Sequence, residues 1–145
     1  MHVKHQVLTL ESKQSFQIID ITVQVNEAIR ETGIKNGIAI ITSQHTTTAL
    51  TVNEYEERLL VDIEQFFVKL APADAKYLHN DLHLRDVPPD EPENAHSHLA
   101  AMLLGNHESI AIVDGKLQLG TYQSVMLVEL DGARSRKVSI QLVGM

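Results

Sequence analysis

The chain has 145 residues, 43% of them hydrophobic and 21% charged, enough apolar material for one globular domain with a real core. A net charge of −7 excludes a surface built to neutralise phosphate backbones, and the absence of cysteine excludes disulfides and thiolate chemistry. The opening MHVKHQVLTLESK lacks the apolar run of a signal peptide and no later stretch could span a bilayer. A cytoplasmic protein with neither nucleic acid nor membrane as partner is therefore expected.

Residues 3–10 and 16–20 read as strands joined at Glu11–Ser12–Lys13. Asp20 or Thr22 can cap a helix whose apolar positions Ile21, Val25, Ala28 and Ile29 recur at helical spacing, and Gly33 stops it. The run from Gly37 to Thr42 is apolar on both faces, the pattern of a central strand covered on each side. SQHTTTALTVNE then continues as extended, β-branched chain. Tyr55 to Leu70 reads as an amphipathic helix with Leu59, Ile63, Phe66, Phe67 and Leu70 inward.

Asn94 or Ser97 can cap a further helix that ends at Gly105. SIAIV, KLQLG, YQSVMLVEL and RKVSIQLVG follow as strands, with hairpin signals at Asp114–Gly115 and Asp131–Gly132. Strands, helix, strand, two helices and an antiparallel run make an α+β domain spanning residues 1–145, mostly antiparallel sheet or sandwich with about three helices.

Tyr77 to Leu99 stands apart. It holds four of the eight histidines (His79, His83, His96 and His98) and three of the four prolines, so it forms neither a continuous helix nor a central strand. A long loop in a small domain is commonly functional, and imidazole both ligates metals and titrates near neutrality. His79 and His83, four apart, would share a helix face. His96 and His98 lie about 200° apart on an ideal helix and could not then bind one ion; if the helix began only at Ser97, both could converge.

His45 extends the central strand and emerges beside Ser43, Thr46, Thr47 and Thr48; the plain alternative is a buried histidine bonded to a hydroxyl. His2, His5 and His107 have no such setting and read as solvated. A set of His45, His79 and His98 with water in the open position would match the ligand count of a catalytic zinc site. Strand alternation puts Gln123, Val125, Leu127 and Glu129 on one face. Glu129 is then a general base, a partner of a histidine, or simply a strand end entering a turn. Arg134 and Arg136 suit a phosphate or pyrophosphate, or else a solvated hairpin tip. No P-loop, GxGxxG, GxSxG or HExxH is present.

QHTTTALTVNE, YLHNDLHLRD, NAHSHLAAMLLG and DGKLQLGTYQSVMLVELDGARSRKV together resemble the YjbQ-type family, described as secondary thiamin-phosphate synthases. The likeness runs from about Ser43 to the C-terminus with the blocks in the same order. It implies a small α+β protein that assembles as a homotrimer. It also implies an enzyme that joins hydroxymethylpyrimidine pyrophosphate to thiazole phosphate and releases pyrophosphate. The family's recurring polar positions fall on His45, His79, His98, Glu129 and Arg134, with Asn53, Glu54, Asn94 and Gln123 beside them. Tyr122 stands where the family usually has tryptophan, keeping a flat wall with a polar tip.

On that reading His45, Glu129 and Arg134 are the catalytic candidates. Ser43, Thr46, Thr47, Asn53, Asn94, Gln123, Arg134 and Arg136 are the substrate-binding ones. His45, His79 and His98 would hold a divalent ion, zinc or, with a pyrophosphate substrate, magnesium. Two other readings fit the same residues: a metal-dependent hydrolase of a small phosphorylated or ester substrate, and a non-catalytic trimer that binds a small anion.

Overall fold

The computed structural model describes residues 1–145. In chain order the elements are β1 (His2–Glu11), β2 (Gln17–Asp20), α1 (Thr22–Thr32), β3 (Gly37–Ser43), β4 (Thr48–Asn53), α2 (Glu57–Leu70), α3 (Ala95–Leu104), β5 (His107–Val113), β6 (Lys116–Leu117), β7 (Ser124–Glu129) and β8 (Ser135–Gly144). Two short 3-10 turns, Leu78–Asn80 and Leu82–Leu84, lie in the proline-rich loop. Every strand pair is antiparallel. One sheet runs β1-β8-β3-β5-β6 and the other β2-β7-β4, so the α+β class with three helices is what the chain adopts.

Period-two alternation divides the interior into two cores. Val125 and Leu127 of β7 meet Ile41 of β3 and Val138, Ile140 and Leu142 of β8, with α1 closing that core through Val25, Ala28 and Ile29. The opposite residues of β7, Met126 and Val128, face Phe67 of α2 and Ala100 and Ala101 of α3 across a second core. Each such aliphatic side chain contributes about 1.5–3 kcal/mol on burial, so β7, buried on both faces, ties the layers together.

Gly33 ends α1 in the left-handed region as expected, but the N-terminal cap is Ile21, whose side chain makes no capping bond. Asp20, one residue earlier, accepts through Oδ1 from the N–H and hydroxyl of Thr22, the first helical residue. The turn at Asp114 and Gly115, both with positive φ, joins β5 to β6 as expected.

Four expectations are corrected. The strand from Gly37 is central in its sheet but covered on one face only: Ala39, Ile41 and Ser43 are buried, while Ile38 is exposed and Ile40 and Thr42 are half-buried. The HTTT stretch does not continue β3: the chain turns at Gln44–Thr47 and starts β4 in the other sheet. The second Asp-Gly pair makes no hairpin, because β7 and β8 also lie in different sheets. Its glycine serves close approach instead: Gly132 N–H donates to Ser15 O, and a Cβ there would overlap the Gln14 carbonyl. Finally, α2 buries only Phe67, while Phe66 and Leu70, expected inward, are more than half exposed.

Three chain crossings between the sheets thus gather at one end: Ser12–Phe16, Gln44–Thr47 and Leu130–Arg134. They are laced together by Ser12 N–H to Arg134 O, Gly132 N–H to Ser15 O and Leu130 N–H to Thr47 O. That end carries the polar cluster.

Candidate functional site

Glu129 ends β7 pointing at the other sheet, as alternation requires, and is fully buried. Arg136 of β8 meets it with both ends of its fork, Nε to Oε2 at 2.7 Å and Nη2 to Oε1 at 2.6 Å. The Ser12 hydroxyl (2.8 Å) and the Asp131 N–H (2.9 Å) complete the carboxylate's shell. Burial pulls the Glu129 carboxyl pKa up, but the Arg136, Asp131 and Ser12 hydrogen bonds outweigh it and hold the group below its ordinary value. Arg136 Nη2 also donates to Thr47 Oγ1 at 2.9 Å.

Glu129 and Arg136 are therefore spoken for. A carboxylate that already accepts four hydrogen bonds, two from a guanidinium, is a poor proton acceptor, and Arg136 presents no fork to an incoming phosphate. The pair is a platform beneath the crossing loop that carries His45.

His45 stands on that platform. Its backbone N–H donates to Ser43 Oγ, and Ser43 Oγ is bonded in turn to Thr48 Oγ1. The Lys137 N–H donates to His45 Nε2 at 2.8 Å, so that nitrogen bears no proton and the neutral ring carries its hydrogen on Nδ1. Burial, then the Arg136 and Lys137 charges, lower the His45 pKa from its ordinary 6.5 against the opposing pull of Glu129.

Helix α3 supplies His98. Because the helix begins at Ala95, His96 and His98 both lie on it and face opposite sides, which settles the geometric alternative left open by the sequence. His98 and His45 line one cleft of about 450 Å³ together with Thr46, Thr48, Met102 and Asn106. His79, in the first 3-10 turn, packs edge-on against His98 with ring centroids 4.7 Å apart, and its Nε2 is buried without a partner. Arg85 Nη1 fixes that turn by donating to His79 O at 2.8 Å. Burial first, then neighbouring His79, push the His98 pKa below 6.5, with Asp131 opposing.

The three-histidine set does not assemble within the chain. His79 pairs with His98, while His45 faces His98 across the cleft with one nitrogen accepting a backbone bond and the other protonated. No group of three or more His, Asp or Glu side chains is placed to share one ion. A tetrahedral site of three imidazoles from this chain therefore does not fit its geometry.

The remaining candidates sort by position. Thr46 is in the cleft; Ser43 and Thr47 are buried beneath it. Asn94 Nδ2 donates to Asp131 Oδ2 at 2.8 Å, and Arg134 brackets the same residue, Nε to its carbonyl and Nη2 to Oδ2, leaving Nη1 uncommitted. Asn53 lies at the far end of β4, its Oδ1 accepting from the Glu54 N–H. Gln123 is exposed and closes its own loop through the Gly120 N–H. His83 is exposed.

Sequence reasoning passed over Ser12, Asp131 and Asn106. Ser12 and Asp131 read as link and turn residues, and nothing local marks a turn residue as the anchor of a distant arginine. Asn106, directly after the Gly105 stop, carried no signal of its own.

The chain matches a family model described as UPF0047 protein YjbQ-like over residues 6–145. A UPF0047 protein of Methanothermobacter thermautotrophicus is 39% identical over 144 residues, covering 99% of this chain and 94% of that protein. A UPF0047 protein of Archaeoglobus fulgidus is 40% identical over 134 residues, covering 92% and 97%. Among solved structures, a YbjQ-like protein of unknown function from Sulfolobus solfataricus P2 superposes with a TM-score of 0.89 at 34% identity, over 99% of each chain. A hypothetical protein from Aeropyrum pernix K1 gives 0.88 at 33% identity, over 98% of this chain and 99% of that one.

Proposed function

Because the chain belongs to the YjbQ-like UPF0047 family, we propose that it is an enzyme of small phosphorylated molecules. Its reaction on this reading is the joining of hydroxymethylpyrimidine pyrophosphate to thiazole phosphate. The observation that supports this is the cleft in which His45 and His98, both favoured in the neutral form, face a shared space beside threonine hydroxyls and Asn106.

In that reaction the thiazole nitrogen forms a bond to the pyrimidine methylene carbon as the carbon–oxygen bond to pyrophosphate breaks. The electron pair leaves with pyrophosphate, and no proton has to be removed from the attacking nitrogen. What the site must supply is donors for the departing charge. His45 Nδ1–H is such a donor, held in its tautomer by the Lys137 backbone. The uncommitted Nη1 of Arg134 and the exposed Lys137 side chain add positive charge at the same end of the sandwich. Neutral His98 offers a lone pair to a hydroxyl or a bound water.

The divalent ion of this reading is zinc held by His79 and His98 with other ligands from substrate, water or a neighbouring protomer of a homotrimer, or magnesium carried in on the pyrophosphate and water oxygens. Incubating the purified chain with both substrates and measuring thiamin phosphate and pyrophosphate tests the proposal. Formation of both, lost in His98→Ala, is the expected result. Pyrophosphate-bond cleavage without thiamin phosphate would replace it with the hydrolase, and anion binding without turnover with the non-catalytic trimer.

A further inference from the structure

Helix α2 leaves an apolar stripe uncovered. Leu59, Ile63, Phe66 and Leu70 recur along it at helical spacing, yet Phe66 and Leu70 are more than half exposed and the other two only half-buried. Leu59, Ile63 and Phe66 form one wall of an open groove of about 450 Å³. Leu104 of α3 bounds it on another side, and Met126 and Val128 of β7 make its floor. The groove shares no lining residue with the cleft of His45 and His98. Phe67 lines both this groove and a smaller cavity under α3, of about 150 Å³.

One charge marks this otherwise apolar space. Asp62 is the only Asp, Glu, Lys or Arg among the lining residues, and α3 contributes none. Its carboxylate is exposed and enters none of the chain's ion pairs, so it is free to accept. Asp62 and Phe66 stand at i and i+4, which makes them neighbours on the helix surface. The Phe66 ring meets Phe67 edge-on, with centroids 5.3 Å apart, and keeps 57% of its surface open. A cation placed there is attracted twice, by the carboxylate and by the negative face of the ring, whereas an anion is repelled. Charge thus separates the occupant from the phosphorylated molecules proposed for the main cleft. It also disfavours a second copy docked face to face, which would set one Asp62 against another.

We infer that the groove is a second ligand site, for an organic cation: an ammonium carried on an apolar body. Asp62 and the Phe66 ring take the charge, and Leu59, Ile63 and Leu104 take the body. Phenethylammonium is the probe, with phenylpropionate and phenylethanol as anionic and neutral controls of similar size. Each is titrated into the full chain by calorimetry, and amide shifts at Ile63, Phe66 and Leu104 locate it. The wild type should bind the cation roughly tenfold more tightly than the anion, and added salt should narrow that gap. Asp62→Asn should weaken the cation roughly fivefold or more while phenylethanol changes less than about twofold. Because Asp62 is exposed and unpaired, that variant should keep the thermal midpoint of the wild type. Phe66→Leu keeps the wall apolar and should weaken the cation more than it weakens phenylethanol. The inference is overturned if phenethylammonium does not bind the wild type or if phenylpropionate binds as well. It is equally overturned if Asp62→Asn binds the cation unchanged, or if the shifts fall outside the groove. None of these readouts involves turnover, so they stand or fall apart from the proposed reaction.

Discussion

The Glu129–Arg136 platform and the histidine cleft above it are neighbours, yet they treat polar atoms in opposite ways. In the platform every carboxylate lone pair and most guanidinium hydrogens are matched, and both side chains are almost wholly removed from water. Around the cleft, His79 behind His98 has a partnerless Nε2, and His45 Nδ1 carries a hydrogen that nothing in the chain accepts. The difference teaches that the strongest charges here are foundation, while the cleft is left to weakly basic rings held neutral. A buried ion pair whose carboxylate is fully hydrogen-bonded is costly to break by removing one partner.

Breaking the platform should have the largest effect. Glu129→Gln strands the Arg136 charge in the interior and should cost about 3–5 kcal/mol in urea unfolding, whereas an apolar pair at both positions should recover much of that. If Glu129→Gln were nearly neutral, the platform would not be structural. The cleft should show the reverse pattern. His98→Ala should reduce turnover about 10²-fold or more, with stability within about 1 kcal/mol of the wild type by the same unfolding assay.

Acid separates the two regions further. The folded pKa values of His45 and His98 lie below the ordinary 6.5, so between these values the unfolded chain binds more protons and stability falls as pH drops from about 6.5. Turnover should fall over the same descent as the rings become charged. Glu129 acts lower. Its folded pKa is depressed, so its contribution is complete above its ordinary 4.5 and is lost as pH falls through the lower folded value. Thermal midpoints across pH 3–8 should show two steps, and His45→Gln combined with His98→Gln should remove only the upper one. The smallest effect is expected for Arg134→Ala. Its pair with Asp131 is partly exposed and worth roughly 0.2–1 kcal/mol, while the KM for a phosphorylated substrate should rise.

Local chemistry made several elements legible: the Gly33 stop, the Asp114–Gly115 turn and the face on which Glu129 lies. Strand partnership was not legible. Asp131–Gly132 has the same turn chemistry as Asp114–Gly115, and only the partner sheet distinguishes them. One clue was present, since Val125 to Leu130 has no polar alternation before Glu129 and so belongs between two covered faces. The site was legible as a set of residue types but not as a geometry. His45 and His98 line one cleft and His79 packs on His98, yet spacing cannot show that one pair stacks while the third is tied to the Lys137 backbone. Nor can it show that Arg136 is consumed by Glu129.

Helix α2 carries one more consequence. Of its fourteen residues only Phe67 is buried, and that ring also forms part of the wall of the cavity under α3. A helix held by Phe67 with only the half-buried Leu60 and Ile63 beside it should detach at far lower free energy than the two sheets unfold, so its amides should exchange with solvent earliest among the regular elements. The inner wall would then double as a door. Its opening would wet the Phe67 side of the second core before either sheet gives way.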